Sequence, residues 1–235
     1  MRENGRRFDL VAFDMDGVLV DYLSSWTWVH DRFGVSNEEA VVSYMDGRID
    51  DLEFMRRDIG LWLKHRPGLG IPDVERELAM LPINPGIEST VRTLHARGTR
   101  AVIISGGLDL IAAKLAERYG FDAQWSNGLA ADEEGRLTGE GVLRVELCNK
   151  RKALEEAQGM FGASPERTAA VVTLVSLGAG LQKNATESLW GISDLSNISV
   201  YPGYPSEMEM KGGGGGGGSM VIQQQDLILI TPSVI

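Results

Sequence analysis

An α/β fold, with a parallel sheet at its core and a small helical cap inserted after the first strand, is predicted by three features of this 235-residue sequence. Two apolar runs, FDLVAF (8–13) and TRAVIIS (99–105), each end at a glycine-containing turn. Such runs mark buried parallel strands with functional loops at their carboxyl ends. In the second half, strand-like runs alternate with amphipathic stretches of about 12 residues, the rhythm of βαβ units. Between the first two strands, residues 22–83 show helical spacing and no convincing strand.

Taken in order, FDLVAF is the first strand, closed by the turn signal DMDG (14–17). Four short helices follow, in SSWTWVHDRFG, NEEAVVSYM, DDLEFMRRDIGLWLKH and IPDVERELAML, separated by Gly, Pro and Asn breaks. NPGIESTVRTLHARG (84–98) is an amphipathic helix with a proline near its start and a glycine at its end. TRAVIIS is the second strand, and GGLDLIAAKLAERYG returns as a helix. SNGLAADEEGRLTGEGVLRVE reads as a hairpin or flap around acidic glycine turns. KRKALEEAQGMFG is a further helix and RTAAVVTLV a further strand. The expected organisation is a Rossmann-like core from residues 1–21 and 84–200, a helical cap over 22–83, and a glycine-rich linker with a tail over 201–235. The linker, GGGGGGGS (212–219), is flexible by composition.

Composition narrows the function. With 43% hydrophobic and 24% charged residues the chain is an ordinary globular one. A formal net charge of -10 argues against a nucleic-acid backbone or an anionic membrane as partner, since both would repel it. A small anion received by a local cation or metal remains compatible. The longest weakly polar run, TAAVVTLVSLGAGL, has 14 residues, short of the roughly 20 that cross a bilayer. A single cysteine, Cys148, makes no internal disulfide, which points to the reducing cytoplasm. A homodimer is compatible with the sequence.

Three groups of residues carry chemistry. Asp14 and Asp16 lie two apart, so in an extended segment they project to one side, roughly 6.6 Å apart. Around Gly17 both could address one cation; alternatively a strand-ending Asp simply caps its loop. Ser105, Gly106 and Gly107 in VIISGGLD bring a hydroxyl, open backbone amides and a helix start together, an arrangement suited to phosphate. Lys150 in CNKRKAL starts a helix, with Lys152 as competitor and a solvated surface charge as the plain alternative. Two acids, a hydroxyl with glycines and a lysine, each near a strand's carboxyl end or in the segment leading to the next strand, describe a phosphoryl-transfer site.

These residues resemble the haloacid dehalogenase-like superfamily of phosphohydrolases, and within it the phosphoserine phosphatase-like branch. DMDGVLVD (14–21) meets that family's DxDGxxxD motif, and SGG followed by an apolar residue and Asp is similar to the branch's second motif. NGLAADEEGRLTG resembles its flap, and the resemblance runs over residues 8 to about 172. It implies that Asp14 attacks phosphorus and that Asp16 is general acid and then base. It further implies that Ser105, Gly106 and Gly107 hold phosphate oxygens and that Lys150 offsets charge. Mg²⁺ would be bound by the Asp14 carboxylate and the Asp16 carbonyl. The implied substrate is a small phosphorylated metabolite, with Arg57, or Arg56 beside it, receiving a carboxylate. The position of the branch's cap glutamate is occupied by Leu23.

One family motif is missing. The resemblance places an acidic Gly-Asp pair at Val172 and Thr173, and the eight residues that follow, LVSLGAGL, hold no acid. A hard-cation site short of a carboxylate should bind Mg²⁺ weakly. Three readings stay open: Asp194 and Asn197 serve as late replacements, the protein binds a phosphorylated ligand without efficient turnover, or the sequence after about 172 is frame-altered or engineered. Val-Val-Thr spelled GTG GTG ACT reads Gly-Asp in the frame two bases on, which motivates the last.

Overall fold

The computed structural model describes residues 8–172 and 198–200. Its sheet has the strand order β4-β3-β2-β1-β5-β6, from β1 (Leu10–Phe13), β2 (Arg100–Leu108), β3 (Ala123–Ala131), β4 (Leu137–Val142), β5 (Thr168–Val172) and β6 (Ile198–Val200). Among the described strand pairings β3–β4 is antiparallel and the others are parallel. The first strand is therefore central, with β2 on one side and β5 on the other. Along β1 the side chains alternate between two cores: Val11 and Phe13 in one, Leu10 and Ala12 in the other. Burial on both faces is what makes the run continuously apolar.

The connections are helical. Four helices, α1 (Ser25–Phe33), α2 (Glu38–Met45), α3 (Asp51–His65) and α4 (Ile71–Leu78), fill the stretch after β1. Next come α5 (Ile87–Ala96), α6 (Asp109–Tyr119) and α7 (Arg151–Phe161), the last packed with Leu10, Ala12, Val102 and Ile104. In α1, Ser24 caps the start by accepting from the Trp26 and Thr27 amides, and Gly34 ends the helix at φ 69°. Trp26, Val29, His30 and Phe33 form its buried face, at the spacing that one helical stripe requires. Trp26, His30 and Phe33 meet Trp62 of α3, which stacks on Trp26 at a centroid distance of 5.5 Å and is fully buried. Truncating Trp62 to alanine would cost about 3–5 kcal/mol.

Two features depart from the sequence reading. β2 does not stop at Ser105 but stays extended through both glycines to Leu108, so its turn comes later than the glycines suggest. Ala123–Ala131 is a full sheet strand, parallel to β2 at its start and antiparallel to β4 at its end. The sequence marked only its hairpin half. Its first residues, AQWSN, are too polar to read as a core strand, yet Ser126 and Asn127 are buried.

Candidate active site

Every group of interest lies at the carboxyl edge of the central strands. Asp14 follows β1 directly, and its amide donates to the Val171 carbonyl of β5 at 2.8 Å. The chain then wraps over itself: the amides of Val18, Leu19 and Val20 all donate to the Met15 carbonyl. That wrap needs Gly17, whose φ of 73° lies in the left-handed region. Asp14 and Asp16 are thus held on a rigid turn rather than on a fraying strand end.

Lys150 reaches Asp14, with Nζ 2.5 Å from Oδ2, while the Met15 amide donates to Oδ1 at 2.8 Å. Asp16 faces a different environment. Its Oδ1 accepts from the Ser25 amide at 3.0 Å and its Oδ2 from the Ser25 hydroxyl at 3.2 Å. Burial pushes its carboxyl up to about 7; the nearby Asp14 charge adds to this, while Ser25 and Lys150 pull the other way. Two carboxylates two residues apart are therefore placed for different chemistry, one paired with a cation and one poised to hold a proton near neutrality.

The glycines of β2 are forced by close approach. A Cβ on Gly107 would lie 2.6 Å from Asp16 Oδ2, and one on Gly106 would lie 2.7 Å from Leu147 Cδ2. Ser105 is buried, and its Oγ accepts from the Gly107 amide at 3.1 Å. The Gly106 carbonyl accepts from Trp26 Nε1 at 3.1 Å and from Asn127 Nδ2 at 3.2 Å. Trp26 of α1 and Asn127 of β3 therefore pin the strand end from two sides.

The segment before α7 is what delivers Lys150. Asn127 holds it from below, accepting from the Arg144 and Val145 amides, both at 2.8 Å. Arg144 also pairs with Asp109 at 2.7 Å. From α3, Asp51 accepts from the Leu147 amide at 3.2 Å and from the Tyr44 hydroxyl at 2.7 Å. Lys152 does not make the Asp14 contact.

Asp14, Asp16, Ser105, Gly106, Gly107 and Lys150 are joined through these contacts. Arg57 is not among them: it pairs with Glu53 at 3.0 Å, and Arg56 with Glu53 and Glu140. Asp194 and Asn197 lie outside the described residues. Phe13 lies opposite Val171, so the described part of β5 ends at Val172, where the resemblance places the motif's glycine; Thr173, where it places the acid, lies outside the described residues. Among the described residues no group of three or more His, Cys, Asp or Glu side chains gathers to hold a metal. No described helix is long and apolar enough to cross a membrane.

Sequence reasoning missed Ser25, Asn127 and Asp51; it reads Trp26 as cap packing, without its bond to the Gly106 carbonyl. A buried polar residue in an otherwise strand-like stretch is a signal that could have found Asn127. Ser25 sits inside a helix N-terminal serine pair, and its role depends on a turn geometry that no pattern encodes.

Comparison with known proteins bears on the family. The model of the haloacid dehalogenase-like hydrolase family matches residues 11–176. A phosphoserine phosphatase of Wolinella succinogenes is 31% identical over 165 residues, covering 69% of this chain and 77% of that protein. A phosphoserine phosphatase of Archaeoglobus fulgidus is 31% identical over 198 residues, covering 79% of this chain but only 55% of the relative's length. Among solved structures, a phospho-aspartyl intermediate analogue of phosphoserine phosphatase superposes with a TM-score of 0.62 at 24% identity, covering 82% of this chain and 85% of that one, a likeness of fold. On the family match and the relatives' similarity together, the chain belongs to the haloacid dehalogenase-like hydrolases and is phosphoserine phosphatase-like within them.

Proposed function

We propose that this protein hydrolyses a small phosphate monoester by way of an aspartyl phosphate on Asp14. The observation that carries this reading is the pair of unlike carboxylates: Asp14 held by Lys150 at 2.5 Å, and Asp16, two residues on, with its carboxyl raised to about 7. Asp14 attacks phosphorus and displaces the alcohol, which turns one slow hydrolysis into two displacements. Asp16 gives the leaving oxygen a proton and then takes one from the attacking water. Ser105 and the Gly106 amide receive phosphoryl oxygens, with the Gly107 amide holding the Ser105 hydroxyl, and Lys150 offsets the charge that builds between phosphate and Asp14.

Mg²⁺ suits the oxygens at this turn. The Asp14 carboxylate and the Asp16 carbonyl would hold it, and when bound it would neutralise phosphoryl charge. With Thr173 where the resemblance places a further carboxylate, affinity is expected to be low for the family. The helices over residues 22–83 act as a cap, with Ser25, Trp26 and Asp51 among their contacts to the core. Phosphoserine is the first substrate to try, since the curated relatives bear that name. Leu23, 53% exposed, offers no charge to an ammonium group, so phosphate esters of simple alcohols without an ammonium group come second. A cytoplasmic setting accords with the one cysteine, Cys148, a free thiol.

The test is turnover of p-nitrophenyl phosphate with added Mg²⁺, set against Asp14→Asn. Hydrolysis lost in the variant supports the reading, and equal rates for the two proteins end it.

A further inference from the structure

Ser25 addresses Asp16 twice, through its main chain and through its side chain, and each contact goes to a different carboxyl oxygen. Its own hydroxyl is oriented in turn: Oγ accepts from the Leu108 amide at 2.9 Å. With that lone pair engaged, the hydroxyl proton is directed at Asp16 Oδ2. A chain of hydrogen bonds thus runs from the end of β2, through Ser25, to Asp16. Ser25 is fully buried, so no water competes for these positions.

The same three groups meet at Gly107. A Cβ there would fall 2.6 Å from both Asp16 Oδ2 and Ser25 Oγ. The carboxyl therefore hangs directly above the strand end proposed to receive phosphate. An aspartate side chain left to itself would sample other rotamers and reach other partners. Two donors on two oxygens leave it a single orientation.

We propose that Ser25 is a positioning residue, fixing the Asp16 carboxyl over Gly107 so that its proton meets the leaving oxygen. This rests on the hydrolase reading above. In the first displacement the Asp14 oxygen bonds to phosphorus, the ester P–O bond breaks, and the Asp16 proton goes to the departing alkoxide. In the second, water oxygen bonds to phosphorus, the Asp14–P bond breaks, and a water proton returns to Asp16. One ester and one water become one alcohol and one phosphate, with Asp16 restored. Ser25 touches none of the reacting atoms; it acts through Asp16.

A positioning role has a signature that a general structural role lacks. Proton delivery matters most when the leaving group is basic, and little when it is a stable anion. The experiment compares Ser25→Ala with wild type on phenyl phosphate and on p-nitrophenyl phosphate, with inhibition by inorganic phosphate as a measure of the anion site. Expected is a loss of about tenfold or more in kcat/KM on phenyl phosphate but under about threefold on p-nitrophenyl phosphate, with phosphate inhibition unchanged, since general-acid assistance contributes 10²–10⁴ and is only partly removed here. Ser25→Cys, close in volume but a weaker donor, should follow the same selective pattern at smaller size and serves where the alanine variant folds poorly. Equal losses on both esters, or no loss on either, would overturn the positioning role while leaving the hydrolase reading intact. Wild type no faster than Asp14→Asn on both esters would instead sink the hydrolase reading, and this inference with it.

Discussion

Replacing Gly107 by alanine should separate the proton-transfer geometry from the fold. The new Cβ would lie 2.5 Å from Met15 Cε, 2.6 Å from Asp16 Oδ2 and 2.6 Å from Ser25 Oγ. Met15 ends in a flexible methyl and can yield. Asp16 and Ser25 are tied to each other and to Leu108, so the carboxyl must retreat by about 0.4–0.8 Å to reach ordinary contact distances of about 3.0–3.4 Å. A displacement approaching 1 Å at a reacting group costs about 10²-fold in rate. That is about 2.7 kcal/mol of transition-state stabilisation. Overpacking of this kind destabilises by about 1–3 kcal/mol, so the folded state should survive. Gly106→Ala is the matched control: its nearest neighbour is the Leu147 Cδ2 methyl at 2.7 Å, and the next atom is at 3.6 Å. Steady-state kinetics on phenyl phosphate, with thermal midpoints for both variants, should give a kcat loss near 100-fold for Gly107→Ala and under about tenfold for Gly106→Ala, because only a leucine tip has to move. Wild-type kcat in Gly107→Ala, or an equal loss in both, would refute the reasoning.

Further outcomes follow from the same geometry. Because Asp16 must carry a proton in the first displacement and its carboxyl titrates near 7, kcat/KM on phenyl phosphate should fall as pH rises above about 7; a profile flat to pH 9 would contradict this. The same shift costs stability. The folded state holds the proton more tightly than the unfolded chain, whose value is 3.8, so stability is full below that value and is lost as pH rises through about 7. Asp16→Asn should therefore raise the thermal midpoint at pH 8 and leave it unchanged near pH 3.5. In the helical block, Asp58 is buried, 3.1 Å from His30 Nε2, and also accepts from Asn37. Asp58→Ala strands these partners at about 1–3 kcal/mol, a fall of several degrees in midpoint by thermal denaturation. Finally, Thr173→Asp, one residue beyond Val172, should tighten Mg²⁺ binding by calorimetry; no change would count against position 173 as the missing ligand.

What could be read in the sequence depended on whether the signal was local. Asp14, Gly17 and the apolar run before them form one contiguous pattern, and the wrap on the Met15 carbonyl is made by its near neighbours Val18, Leu19 and Val20. The SGG stretch was legible for the same reason, although its extended backbone, running on to Leu108, was not. The four helices after β1 fell where their breaks predicted, because Gly34 and Pro72 are strong punctuation. Asn127 and the first half of β3 were illegible: a buried asparagine is tolerated only because four backbone groups on distant segments satisfy it. Ser25 was hidden likewise, since its partners Asp16 and Leu108 are 9 and 83 residues away. The position left by the absent acidic motif was reached by counting, and the place of its acid, Thr173, lies outside the described residues.

The most direct measurement is of the phosphoryl group itself. Protein mixed with a ³²P-labelled phosphate ester and quenched in acid should carry label on a peptide containing Asp14. That label should be released by hydroxylamine, as an acyl phosphate is, and be absent from Asp14→Asn. Label on another residue, or steady turnover by Asp14→Asn, would contradict the assignment of Asp14 as the nucleophile.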